Sequence, residues 1–75
     1  MKRIGLINPN TSQATTAMMT DIAPSYLPEG FAIEGHTAAH GVPMILNDVE
    51  LAAAADSVVE TGRKLARRND GLIVC

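Results

Sequence analysis

The residues that disulfides, zinc sites and aromatic platforms need are scarce in this sequence. Cys75 is the single cysteine, so no intrachain disulfide can form. Only His36 and His40 stand beside it as soft metal ligands, which disfavours a structural zinc site. Tryptophan is absent, and one Tyr and one Phe make up the 3% aromatic content. That argues against a stacking surface for single-stranded nucleic acid. Positive charge is short as well: 6 Lys+Arg face 8 Asp+Glu, a net charge of −2 that does not suit a phosphate backbone. No apolar run approaches the roughly 18 residues of a membrane span. Lys2-Arg3 imitate the basic start of a secretion signal, but the apolar run behind them stops at Ile7. The expectation is a cytoplasmic protein without nucleic-acid or membrane partners.

What is present is an ordinary globular mixture, 47% hydrophobic and 19% charged over 75 residues, not a disordered one. A chain this short buries only about 60% of the surface its unfolded state exposes. With no disulfide to help, stability has to come from packing or from association.

Lys2 to Ile7 read as a short strand in which Gly5 admits a close neighbour. Asn8-Pro9-Asn10-Thr11-Ser12 is a break rich in turn and cap residues. A helix is predicted from about Thr11 to Ala23, with Asn10 as N-cap and Gln13 completing a box-like pair. Ala14, Met18 and Ile22, with Ala17 beside them, mark its apolar face, and Pro24 stops it. After the Leu27-Gly30 turn, Phe31 to Thr37 alternate as a strand nearer a sheet edge. Ala38 to Asn47 is a long loop containing Gly41-Val42-Pro43. Asn47 or Asp48, paired with Glu50, opens a second helix running to about Arg68. Its stripe is Leu51, Ala55, Val58, Gly62 and Leu65. The basic residues Arg63, Lys64, Arg67 and Arg68 read as a solvated helix end suited to the dipole. Gly71 is available for a left-handed cap, and Leu72 to Cys75 read as a strand buried on both faces.

The order β-α-β-α-β implies an α/β fold: an open parallel sheet of flavodoxin-like order 2-1-3, with right-handed crossovers and helices on opposite faces. A strand so apolar needs a neighbour, because an open edge invites pairing. Residues 1–75 are therefore expected to be a partial N-terminal α/β lobe of a larger fold, and to associate as a homo-oligomer.

Ligands of open parallel sheets bind beyond the carboxyl ends of the strands. In the order 2-1-3, Asn8, Asn10, Thr11 and Ser12 share one rim with Cys75. Amides, hydroxyls and a helix N-terminus suit a carboxylate or an oxyanion, and a thiolate can serve as base or nucleophile. His36 reads as a strand-surface residue and His40 as a loop residue. No GxGxxG or Walker loop is present, so nucleotide binding is unsupported.

The run Ile4-Gly5-Leu6-Ile7-Asn8-Pro9-Asn10-Thr11-Ser12, with Thr15-Thr16 and Met18-Met19 behind it, resembles the start of the Asp/Glu/hydantoin racemase family. Gly41-Val42-Pro43, Asp48 and Asp70-Gly71-Leu72-Ile73-Val74-Cys75 extend the likeness, and Asn-Pro-Asn-Thr-Ser points to its hydantoin/allantoin branch. The resemblance implies a cofactor-independent racemase of two α/β lobes, each lending one cysteine to a central cleft. One thiolate takes the proton from a carbon alpha to a carbonyl, and the opposite thiol returns a proton to the other face. It implies Cys75 as the first-lobe catalytic cysteine, with Asn8, Asn10 and Thr11 binding a small carbonyl or carboxylate substrate, and no metal. Decarboxylases and cis-trans isomerases of the same superfamily share the architecture. A non-enzymatic α/β fragment that folds only by association is the reading from a different class.

Overall fold

The computed structural model describes residues Met1 to Cys75. β1 (Lys2–Asn8), α1 (Gln13–Ile22), β2 (Phe31–Thr37), α2 (Asp48–Leu65) and β3 (Gly71–Val74) follow in the expected alternation. The strands form one parallel sheet in the order β2-β1-β3. Ile4 pairs with Ile33 on one side and with Gly71 on the other. The flavodoxin-like α/β arrangement read from the sequence is borne out. No helix is long and apolar enough to cross a membrane.

Alternation along β1 assigns one helix to each face of the sheet. Gly5 and Ile7 point to α2: a Cβ on Gly5 would come 3.2 Å from Leu65, and Ile7 lies close to Gly62. Leu6 and Asn8 point to the α1 side, where Asn8 bonds Thr16. The buried apolar residues Leu6, Ile7, Ala38, Ala54 and Leu65 fill these two layers around the central strand.

Several local expectations are corrected. α1 starts two residues later than predicted, because Ser12 and not Asn10 is its N-cap: the Ser12 hydroxyl accepts the Thr15 N–H at 3.2 Å. It ends at Ile22, and Ala23–Tyr26 continue as a 3-10 turn in which Pro24 needs no N–H donor. The predicted apolar face of α1 is turned outward, with Met18 54% and Ile22 48% exposed. Thr16, Met19, Thr20 and Ala23 face the sheet instead. The spacing of three and four also holds for this set, so periodicity alone did not choose between the faces.

α2 stops at Leu65, short of Arg68. No left-handed cap forms at Gly71, which lies in β3 opposite Ile4. The end is closed by Asn69, whose Nδ2 donates to the Leu65 carbonyl at 2.9 Å. Leu51 and Ala55, two of the five residues of the expected α2 stripe, are exposed, whereas Val58, Gly62 and Leu65 are covered. β3 is not buried on both faces. It is an edge strand with Leu72, Ile73 and Val74 all exposed, because α1 covers β1 and β2 and only α2 reaches it.

Gly35 shows how closely α1 sits on β2. A Cβ there would collide with the Thr20 hydroxyl and stand 3.2 Å from the Thr16 methyl. The Thr20 hydroxyl is not free to swing away without loss, since it donates to the Thr16 carbonyl at 2.7 Å. Gly35→Ala is expected to destabilise the protein by about 1–3 kcal/mol, as overpacking of a close helix–strand contact does. Urea unfolding of the variant beside the wild type measures it; an unchanged midpoint would show that α1 yields at this point.

Candidate active site

The carboxyl ends of the three strands meet at one rim, where the loop after β1 is held by a series of side-chain hydrogen bonds. Asn8 is only 1% exposed. Its Nδ2 donates to the Ser12 carbonyl and to the Thr16 hydroxyl, both at 3.0 Å. Its Oδ1 accepts the Asn10 N–H at 3.1 Å. Asn10 repeats the move one step on, its Oδ1 accepting the Ser12 N–H at 2.9 Å. Ser12 then caps α1. Three side chains in succession thus turn the chain from strand into helix, each replacing a backbone partner the turn lacks.

The loop after β2 is tied to the same place. The Ala38 N–H lies between the Asn8 and Asn10 carbonyls, at 3.1 and 3.2 Å, and Thr11 donates its N–H to the Val42 carbonyl at 2.9 Å. The Thr37 and Thr16 hydroxyls are 2.7 Å apart. At the third strand, the Cys75 N–H donates to the Ile7 carbonyl at 3.0 Å, which sets Cys75 beside the start of the β1 loop. Cys75 is exposed and in no disulfide.

The four residues singled out in the sequence therefore share a rim but not a role. Cys75, Asn10 and Thr11 lie at its surface. The Asn8 side chain points inward, with both amide hydrogens donated within the chain and its Oδ1 accepting the Asn10 N–H, and so it shapes the loop. Thr16 and Thr37 were missed. Thr16 is a polar residue on what proves to be the inward face of α1, and Thr37 ends β2 directly opposite it. No group of three His, Cys, Asp or Glu side chains is placed to hold a metal ion. Apolar hollows flank the rim. One of about 150 Å³ lies between Pro9, Val42, Ile45, Val49 and Ala53, and one of about 340 Å³ runs between Pro9, Leu51, Val58, Val59 and Val74.

Away from the rim, Glu34 gathers three partners on the α2 side of β2. Arg68 meets its carboxylate in a fork, Nε at 3.0 Å from both oxygens and Nη2 at 2.6 Å from one. Asn69 donates to it at 3.0 Å, and His36 Nε2 stands 3.2 Å away. Arg68 is therefore not part of a merely solvated helix end. Asn69 turns both amide hydrogens to acceptors, which leaves its Oδ1 buried without a partner.

No protein-family model matches the chain, and no curated protein matches it. Among solved structures, allantoin racemase from Klebsiella pneumoniae superposes with a TM-score of 0.90 at 33% identity, over 99% of this chain. The chain is racemase-like in fold and sequence. It spans 31% of the length of that racemase. The resemblance carried by the Asn-Pro-Asn-Thr-Ser run is thereby borne out.

The Glu34 cluster has a consequence for stability in acid. The Arg68 fork above all, then the Asn69 and His36 hydrogen bonds, hold the Glu34 carboxyl well below the usual carboxylate range. Its folded pKa lies below its unfolded one. The stabilisation is then fully present above the ordinary value of 4.5 and is lost as pH falls from there through the folded value. The wild type is expected to lose stability below pH 4.5 more steeply than Glu34→Gln, with the two curves drawing together at the acid end. Denaturant titrations at stepped pH test this, and parallel curves would show that the fork contributes nothing.

Proposed function

We propose that residues 1–75 are the N-terminal portion of a cofactor-independent racemase that inverts a carbon alpha to a carbonyl in a cyclic ureide or amino-acid-type substrate. The observation that carries this reading is the placement of Cys75 on the rim beside the Asn8–Ser12 loop, in a chain 33% identical to an allantoin racemase. The comparison favours racemisation over decarboxylation or cis-trans isomerisation, since the similar protein bears the name of a racemase. On this reading the protein is a cytoplasmic homo-oligomer, and its exposed α2–β3 flank is surface that the complete assembly covers.

The chemistry follows from what the rim presents. A carbon next to a carbonyl is acidic enough for a thiolate base when the enolate oxygen meets fixed donors. Cys75 as thiolate takes the alpha proton, and the C–H pair moves into the enolate. The first-turn N–H groups of Gln13 and Ala14 have no intrahelical acceptor, and α1 directs its positive end toward the rim. Together with Asn10 and Thr11 they hold the substrate's carbonyl or carboxylate oxygen. Asn8 acts through the loop it folds. Return of a proton to the opposite face needs a second acid, which this reading places on a cysteine of the facing lobe. Cys75 cannot reach both faces of one carbon.

In the full-length protein, Cys75→Ser should lose racemisation of allantoin by about 100- to 10,000-fold, the usual loss on removing a general base. A serine hydroxyl ionises far above neutral pH and cannot replace the thiolate. Optical rotation of the substrate, with solvent deuterium entering the alpha carbon during turnover, measures the reaction. An unaltered melting curve separates the effect from misfolding. A folded variant with undiminished turnover would return Cys75 to a packing role.

A further inference from the structure

We propose that Thr16 is a positioning residue: its buried hydroxyl locks the Asn8–Ser12 loop in the shape that holds substrate. The proposal rests on the racemase reading for its effect on turnover, and on geometry alone for its effect on the loop. Thr16 lies in the first turns of α1 and is 7% exposed. Its oxygen joins three separate segments. It stands 3.0 Å from Asn8 Nδ2 at the end of β1 and 2.7 Å from the Thr37 hydroxyl at the end of β2. It stands 3.3 Å from the Ser12 carbonyl at the mouth of α1.

One proton arrangement satisfies all of these contacts. Thr37 donates to Thr16, Asn8 donates to Thr16, and Thr16 donates to the Ser12 carbonyl, so that no hydrogen is left over. The Asn8 amide is thereby fixed in rotation. Its Oδ1 is then held toward the Asn10 N–H, and the Asn10 side chain toward Ser12. Without the hydroxyl, Asn8 keeps the Ser12 carbonyl but loses its second acceptor, and Thr37 loses its partner. A buried amide left unpaired seeks other geometry, and the loop that carries Asn10 and Thr11 moves with it. Sequence periodicity hid this residue because the apolar stripe of Ala14, Met18 and Ile22 assigns Thr16 to the opposite, outward face of the helix.

The test compares Thr16→Val and Thr16→Ser in the full-length protein, with allantoin as the probe. Valine keeps the shape without the oxygen; serine keeps the oxygen and omits only the methyl. Two readouts are taken: amide hydrogen exchange across residues 8–12, and the separate values of kcat and KM. Thr16→Val should speed exchange in that segment by about tenfold or more and lower kcat/KM by about 10- to 100-fold, the scale of a displacement near 1 Å. The change should fall on KM, because loss of folded protein alone would lower apparent kcat and leave KM unmoved. Thr16→Ser should return both readouts to near wild type. A folded Thr16→Val with unaltered exchange overturns the proposal, as does faster exchange with kcat/KM within about twofold of wild type. A wild type that racemises neither allantoin nor a 5-substituted hydantoin nor an amino acid would instead fail the racemase reading, and the exchange comparison would still decide whether Thr16 holds the loop.

Discussion

The buried amide of Asn8 is the constraint from which the rest of the rim is built. An amide removed from water costs about 1–3 kcal/mol for each group left unpaired, so its surroundings must supply partners. Here they come from the next eight residues: Asn10, Ser12 and Thr16. Only one path of the chain brings those groups to it, and that path is the turn from β1 into α1. The loop is therefore as well determined as the strand before it. Ala38 and Val42 are added to it through backbone hydrogen bonds, so the second loop inherits its position from the first.

The same demand explains why α1 turns its polar side inward. With Thr16 required beneath Asn8, the helix phase is set, and Thr20 follows one turn later against Gly35. Met18 and Ile22 are then carried to the outside whatever their hydrophobicity. Local apolar patterning was outvoted by a buried hydrogen bond. Sequence reading could find the helix, since Ser12 to Ile22 contains no breaker and Pro24 ends it. It could not find the phase, because both candidate faces have helical spacing and only the fold reveals which meets the sheet.

Other parts were legible for the opposite reason, that their cause is local. The alternation of strand and helix, the Asn47 cap accepting the Glu50 N–H at 2.9 Å, and the turn residues after β1 are all decided within a few positions. The pairing of Glu34 with Arg68 joins residues 34 apart and had no sequence signature; the arginine looked like one member of a basic run. The third strand was over-read. Its apolar run predicted burial on both faces, but burial depends on neighbours, and β1 and α2 alone do not cover it. The rim residues were found as a group because a parallel sheet delivers its carboxyl ends to one side. Their division into surface groups and buried supports was not legible, since it turns on side-chain direction.

The place of Cys75 is fixed from the far end of its strand. Asp70 pairs with Arg3 twice: its N–H donates to the Arg3 carbonyl at 2.7 Å, and its carboxylate accepts the Arg3 N–H at 2.8 Å. That clamp sets the register before β3 begins, and Gly71 then falls opposite Ile4 and Val74 opposite Ile7. A slip of one residue would exchange the two faces of the strand, sending Leu72 and Val74 away from α2. It would also move the thiol by about 3.3 Å along the sheet, away from the Asn8–Ser12 loop. The Asp-Gly-apolar-Cys run is thus one device, a clamp at one end and a thiol at the other. The place of the thiol at the rim is held by an aspartate that never approaches it.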